Sequence, residues 1–141
     1  MAIFARAEDV YAAIGALFEW GSQDGELGPK IGESGLTIRF VYHRPDAEIT
    51  VDAKAVPPEG RHFTVHCGPS DLKADVTMEM DSDIAHTFWF GKMNLMTALA
   101  RGQMKAVGPI QSILKLLPAI KPAYRKYPEI ARSLGLPGGE A

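Results

Sequence analysis

The chain has 141 residues, the length of one domain that buries its own core without a metal or a disulfide. Its hydrophobic fraction of 46% and formal net charge of -2 are ordinary for a globular chain, and we expect no nucleic-acid partner. The single cysteine, Cys67, cannot form an internal disulfide. The sequence shows no signal or transit peptide and no apolar stretch near the roughly 20 residues that span a bilayer. We therefore expect one cytoplasmic domain over residues 1–141.

The first predicted element is a helix over residues 7–20. Glu8 and Asp9 lie in its first turn, where acidic side chains complement the helix dipole, and apolar residues recur at helical spacing. Gly21 is the expected stop. The glycine-rich stretch 21–35 that follows is predicted to be a mobile loop. It does not match a phosphate-binding loop, because no strand precedes it and no Gly-Lys-Ser/Thr follows it.

Four segments of alternating polar and apolar residues come next and predict four strands. They cover residues 36–43, 47–55, 61–67 and 72–80. Turn residues separate the first three, which predicts that these strands pair as an antiparallel meander. Each strand has one polar and one apolar face, as is typical of a sheet that is covered on one side only.

Two short helices and a fifth strand are predicted after these strands. The Asp81-Ser82-Asp83 sequence predicts the start of a helix that ends at Gly91. Asn94 is the expected cap of the second helix, which ends near Gly102. Residues 103–107 alternate again and predict the fifth strand.

The rest of the chain is predicted to be helical and interrupted by prolines. Pro109 stands at a natural first helical position, and an apolar stripe follows it. Pro118 and Pro122 are expected to kink or end this helix. A further short amphipathic piece is predicted over 124–136.

The order of motifs in the second half resembles the sterol carrier protein-2 family of lipid-binding domains. The matching residues are ADVTM at 74–78, DSD at 81–83, FGKMN at 90–94, AL and RG within 98–102, and MKAVG at 104–108. The resemblance covers about 36–117. It implies an α+β fold: a five-stranded, mostly antiparallel sheet, helices on one face, and an apolar tunnel between them.

The sequence departs from the family pattern at two places. Leu95 stands where the family often has proline, and the chain continues past the usual last helix. We therefore expect a family-like core over about 7–117 and a C-terminal extension over 118–141. The extension bears on how the tunnel mouth is closed.

The resemblance implies a function that needs no catalytic residues and no cofactor. Fatty acids, fatty acyl-CoA, sterols and phospholipids are the family's usual ligands, and we expect a non-enzymatic protein that binds and transfers or presents them. An accessory scaffold that holds an isoprenoid quinone intermediate for biosynthetic enzymes is the alternative. No pair of side chains suggests acid–base catalysis. The histidines predicted on the polar face do not suggest a metal site.

Aromatic and methionine side chains crowd the second half, and flexible methionines adapt to varied apolar partners. Core packing is the alternative role for each of them. Lys92 and His86 are candidates for contact with a ligand head group, although a lysine at a helix C-terminus also opposes the helix dipole. The predicted lining residues are Phe18, Phe40, Phe88, Trp89, Met93, Met96, Leu99, Met104, Ile110, Ile113, Leu114 and Leu117.

Positive charge is concentrated in the last part of the chain. From Pro109 onward, five basic residues face only two acidic ones. Together with the apolar stripe, segment 109–132 is a candidate for transient contact with an anionic membrane surface. A solvated helix face is the alternative. The sequence leaves open which lipid is bound, which pathway is served and the oligomeric state.

Overall fold

In the computed structural model, which describes residues 2–138, helices pack against one face of a five-stranded sheet. The strands are β1 (Thr37–His43), β2 (Ala47–Asp52), β3 (Thr64–Cys67), β4 (Val76–Asp81) and β5 (Met104–Val107). The helices are α1 (Ala7–Val10), a π-helical turn (Tyr11–Gly15), α2 (Ala16–Gln23), α3 (Leu27–Ser34), α4 (Ser82–Trp89), α5 (Leu95–Ala100), α6 (Ile110–Leu114) and α7 (Lys121–Ser133).

The strands lie in the order β3-β2-β1-β4-β5. The pairs β1–β2, β2–β3 and β4–β5 are antiparallel, and β1–β4 is parallel. The predicted α+β class with a mostly antiparallel five-stranded sheet is therefore confirmed. The register places Tyr42 beside Met80 and Met80 beside Met104, so the apolar faces of three strands are continuous under the helices.

The region predicted as a mobile glycine-rich loop contains helix α3, so that prediction is wrong. Asp24 Oδ2 accepts a 2.8 Å hydrogen bond from the Leu27 amide and helps to start the helix. A Cβ on Gly32 would lie 2.6 Å from the carbonyl oxygen of His62. The glycines therefore allow close packing of α3 on the chain before β3. The preceding helix also runs past the predicted stop at Gly21, to Gln23.

The sheet face predicted to be open to solvent is partly covered by the connection between β3 and β4. The Arg39 guanidinium donates hydrogen bonds to the carbonyls of Ser70 and Leu72 in this connection. Thr50 on the same face is buried. The predicted strand over 72–80 therefore begins later, at Val76, because the residues before it belong to this covering connection.

The predicted turns in the second half agree with the structure. The Asn94 side chain accepts a 3.0 Å hydrogen bond from the Thr97 amide at the start of α5. Gly91 and Gly102 have φ angles of 75° and 73°, a region that glycine adopts without a steric cost. α6 begins after Pro109 but is only five residues long.

Helix α7 packs into the same core as the rest of the chain. Pro122 lies in its first turn and does not end a helix, and α7 starts earlier than the predicted piece over 124–136. Ala123, Tyr127 and Ala131 recur at helical spacing and are buried. The division into a core over 7–117 and an extension over 118–141 stays a prediction, and residues 139–141 lie outside the described residues.

Candidate functional site

An apolar cavity of about 110 Å³ lies between the sheet and the helices. Its floor is formed by side chains on the apolar face of β1, β2, β4 and β5. Its walls come from α2, α3, α4, α5, α7 and the segment between β5 and α7. This is the region in which the family resemblance implies a tunnel.

Part of the predicted lining set meets in this cavity. Aromatic rings from three elements are in contact there: the ring of Phe18 lies 5.0 Å from that of Phe40 and 5.6 Å from that of Trp89. The predicted residues that line the cavity are Phe18, Phe40, Phe88, Trp89, Met104, Ile113 and Leu117.

Other predicted lining residues lie outside the cavity. Met96 is 54% exposed, because α5 turns Leu95 and Ala98 toward the core and therefore directs Met96 outward. Met93, Leu99 and Leu114 are partly buried and pack against the core from other sides. Ile110 is also partly buried at the start of α6. The aromatic and methionine-rich composition of this region therefore does not by itself distinguish the residues that face the cavity from those that do not.

Several lining residues are not among those predicted, and two causes account for part of them. Those on α3 were missed because that segment was predicted to be a loop. Those on the strands belong to the predicted apolar face, so period-two alternation was the signal that could have found them. The missed residues are Leu17, Gly21, Leu27, Ile31, Ile38, Tyr42, Val51, Phe63, Met78, Met80, Leu95, Leu116, Ile120 and Ala123.

One wall of the cavity is formed by the 109–120 segment, which is lightly attached to the rest of the fold. It contributes Ile113, Leu116, Leu117 and Ile120 to the lining, all of them partly exposed. No residue of α6 is fully buried. The described backbone hydrogen bonds made by amides 112–120 all stay within the segment. Side-chain contacts therefore hold this wall in place.

The size of the cavity bears on what it can hold. Sites for drug-sized ligands have volumes of about 300–1,000 Å³, whereas an apolar cavity of about 150 Å³ accommodates benzene. At about 110 Å³ the cavity is too small for a sterol or a long acyl chain without displacement of its walls. Moving the 109–120 segment outward would leave the hydrogen bonds of amides 112–120 intact, because these bonds are internal to the segment.

Tyr42 brings a buried polar group to this apolar lining. Its side chain is almost wholly buried, and within residues 2–138 its hydroxyl has no hydrogen-bond partner. Burial, with smaller contributions from Tyr127 and Cys67, raises the pKa of Tyr42 well above its ordinary value, so the hydroxyl stays protonated. Apart from Gly21, the other lining residues are hydrophobic.

The two residues predicted to contact a ligand head group do not line the cavity. His86 is buried between α4 and α7, where its ring nitrogens bond the Tyr127 hydroxyl and the Pro137 carbonyl at 2.8 Å each. Burial lowers the pKa of His86. Lys92 is exposed, with its ammonium group 5.9 Å from the centre of the Phe90 ring.

Over the described part of the chain, no group of three or more His, Cys, Asp and Glu side chains is placed to hold a metal ion. None of the helices between residues 2 and 138 is long and apolar enough to cross a membrane.

Solved structures of sterol carrier protein-2 domains are similar to this chain. The sterol carrier protein domain 2 of Helicoverpa armigera is 22% identical, with a TM-score of 0.63 over 82% of this chain and 88% of that one. Sterol carrier protein 2 from Yarrowia lipolytica is 18% identical, with a TM-score of 0.62 over 79% and 89%. A UbiJ-SCP2 ubiquinone synthesis protein is 15% identical, with a TM-score of 0.58 over 81% and 90%.

A sec-alkyl sulfatase, PisA1, is similar over a small part of its length. The match covers 60% of this chain and 12% of the sulfatase, at 20% identity and a TM-score of 0.50. No protein-family model matches the sequence, and no curated protein matches it. Agreement over most of both chains, together with the five-stranded sheet, shows that this chain has the α+β fold of sterol carrier protein-2 domains.

Proposed function

We propose that this chain is a non-enzymatic cytoplasmic protein that binds lipids or similar apolar molecules and transfers or presents them. The observation that carries the proposal is the apolar cavity between sheet and helices, with one wall attached mainly by side-chain contacts. The sterol carrier protein-2 structures of the same fold support it. The cavity lining also lacks the paired titratable groups that acid–base catalysis needs, among the residues described.

The ligands we propose are fatty acids, fatty acyl-CoA, sterols or steroids, and phospholipids. Each needs more room than a cavity of about 110 Å³ offers, and we propose that the 109–120 segment moves outward as a lid when the ligand enters. Displacing this segment breaks few hydrogen bonds to the rest of the protein. Those described for amides 112–120 are internal, and the Ile120 carbonyl accepts one bond from the Ala123 amide at the start of α7. The bound apolar surface of the ligand would replace the side-chain contacts that the lid gives up.

An accessory role with an isoprenoid quinone intermediate is the alternative. The similar UbiJ-SCP2 structure is named as a ubiquinone synthesis protein, which is the observation that favours it. Mass spectrometry of molecules that co-purify with the protein would separate the two. A polyprenyl ring compound would support the alternative, whereas an acyl lipid or a steroid would support the carrier role.

We further propose that the protein docks transiently on anionic membranes through segment 109–132. Lys115, Lys121 and Arg125 are exposed there, next to the partly exposed apolar side chains of the lid. Each cation near an anionic surface contributes about 1 kcal/mol. Contact of this strength is reversible and suits loading and unloading of a lipid.

Tryptophan fluorescence offers a direct test of ligand binding. Trp89 lines the cavity, whereas Trp20 lies under the Lys126 ammonium group and outside the lining. Trp20→Phe therefore leaves one reporter inside the cavity, and titration with a long-chain fatty acid or a sterol should change its emission. The matched variant Trp89→Phe should respond little. If neither protein responds and neither displaces a fluorescent fatty acid, the binding proposal is wrong.

A further inference from the structure

Tyr42 lies at the end of the cavity opposite the start of the lid. It stands in one row of the sheet with Met80 and Met104. The lid begins directly after Gly108, which lies beside the other end of β4. A Cβ on Gly108 would be 3.1 Å from the Cα of Val76. Val76 pairs with Ile38, four residues before Tyr42 on β1. Four residues of a strand span about 13 Å, so Tyr42 lies about 13 Å farther along the sheet than the start of the lid.

The Tyr42 hydroxyl is buried and has no hydrogen-bond partner among residues 2–138. Among the described residues, Trp89 is the only other lining residue with a polar side-chain atom. A buried hydroxyl without a partner destabilises the protein relative to an apolar group of the same shape. A partner that arrives with the ligand would remove this penalty.

We propose that the Tyr42 hydroxyl binds an oxygen on the end of the ligand that enters first. The cavity would then favour lipids whose leading end carries a hydroxyl or a carbonyl over lipids whose leading end is a methyl group. A tyrosine hydroxyl both donates and accepts, so either oxygen fits. This inference rests on the proposed lipid-binding function and narrows its ligand class.

The selectivity follows from the depth of the site. A fatty acid that enters tail first brings only a methyl group to Tyr42 and leaves the hydroxyl unpaired. A ligand with a leading hydroxyl or carbonyl pairs with it inside the apolar lining. Sites with a buried polar group discriminate strongly against ligands that leave that group unpaired.

The test compares ω-hydroxy fatty acids of medium and long chain length with their parent fatty acids. The ratio of the two dissociation constants should favour the hydroxylated acid more in the wild type than in Tyr42→Phe, by about three- to tenfold, the effect of one net hydrogen bond. Tyr124→Phe, which changes a tyrosine outside the lining, should keep the wild-type ratio.

The outcomes separate this proposal from the function on which it rests. If both acids bind the wild type and Tyr42→Phe leaves the ratio unchanged, the proposed hydrogen bond between Tyr42 and the ligand is wrong and the lipid-binding function stands. If neither acid nor any other lipid binds the wild type, both are wrong. The unliganded proteins give an independent check. Tyr42→Phe should melt at the same or a higher temperature than the wild type, and a lower melting temperature would show that the hydroxyl already has a partner.

Discussion

The Tyr127 hydroxyl donates a 2.8 Å hydrogen bond to Nδ1 of His86, and this bond joins α7 to α4 inside the core. The direction follows from the second contact of the ring. Nε2 of His86 lies 2.8 Å from the carbonyl oxygen of Pro137, which can only accept, so the ring proton is on Nε2 and Nδ1 is the acceptor. His86 therefore ties both α7 and the chain after it to α4.

Removing the Tyr127 hydroxyl should destabilise the fold. Tyr127→Phe leaves Nδ1 of the buried His86 without its donor, at a cost of about 1–3 kcal/mol in the free energy of unfolding. Tyr124→Phe, on the same helix, is the matched control, since no hydrogen bond is described for its partly buried hydroxyl. Its effect should stay within about 0.5 kcal/mol. Urea unfolding measures both, and equal values for the two variants would contradict the role given to this bond.

His86 and His43 should make opposite contributions to the pH dependence of the free energy of unfolding. Burial lowers the pKa of His86, against smaller opposing effects of the Pro137 carbonyl and Asp83. Its contribution to stability is present above about pH 6.5 and is lost as pH falls toward its folded pKa. A hydrogen bond with Glu79 raises the pKa of His43. Its contribution is present below about pH 6.5 and is lost as pH rises through its folded pKa. His43 is partly exposed, so its contribution is the smaller one.

Two measurements check these signs. NMR titration of the ring protons should show His86 titrating below about 6.5 and His43 above it. Urea unfolding of His43→Gln at about pH 7.5 and about pH 5.5 should show a larger loss of stability on acidification than the wild type, because the opposing contribution is gone. If acidification destabilises the variant no more than the wild type, the direction given for the pKa of His43 is wrong.

The strands of the sheet could be predicted from the sequence because burial of one face of a strand produces an alternation of polar and apolar residues. The segment with α3 could not, since the role of Gly28 and Gly32 depends on His62, which is distant in sequence. A segment with many glycines predicts a loop. Only the packing of this segment against His62 shows that its glycines allow two parts of the chain to lie close together. The covered face of β1 and β2 was missed for a similar reason, because the carbonyls that bond Arg39 lie more than thirty residues away.

The cavity was predicted in its general position and only partly in its residues. Composition identified a region rich in methionine and aromatic residues, but it does not say which side of a short helix faces inward. Met96 and Leu95 are adjacent in sequence, and only Leu95 lines the cavity. Tyr42 was placed on the apolar face by alternation, whereas its unpaired hydroxyl is a property of its surroundings in three dimensions.

Filling the cavity should weaken lipid binding more than it changes stability. Ala123 lines the cavity, so Ala123→Leu has room for its added atoms, and the free energy of unfolding should change by less than about 1 kcal/mol. Each methylene of ligand that it excludes is worth about 0.8 kcal/mol, which predicts binding weaker by about tenfold or more.

The matched control is Ala131→Leu, on the same helix. Ala131 is buried outside the lining, so the larger side chain overpacks the core and should cost about 1–3 kcal/mol. Fluorescent fatty-acid displacement and urea unfolding measure the two effects. If Ala123→Leu binds normally and unfolds as readily as Ala131→Leu, the space beside Ala123 is close-packed core.

Docking on anionic membranes should depend on a few exposed cations. Lys115, Lys121 and Arg125 are exposed, and changing all three to glutamine should weaken binding to anionic vesicles on the order of a hundredfold at low salt. Lys126 lies over the Trp20 ring and 3.9 Å from a Glu129 carboxylate oxygen. Because these contacts already engage it, Lys126→Gln alone is the control and should have a smaller effect than the loss of any one of the three.

Vesicle co-sedimentation distinguishes a docking surface from a solvated helix face. Binding should appear with anionic vesicles at low salt and fall as salt rises, because the Debye length shortens from about 30 Å at 0.01 M to about 8 Å at 0.15 M. The apolar side chains of the lid cannot produce this salt dependence, since burial of apolar surface does not weaken when charges are screened. Equal binding to neutral and anionic vesicles, or none to either, would show that the basic residues only face solvent and that the 109–120 segment is simply a wall of the cavity.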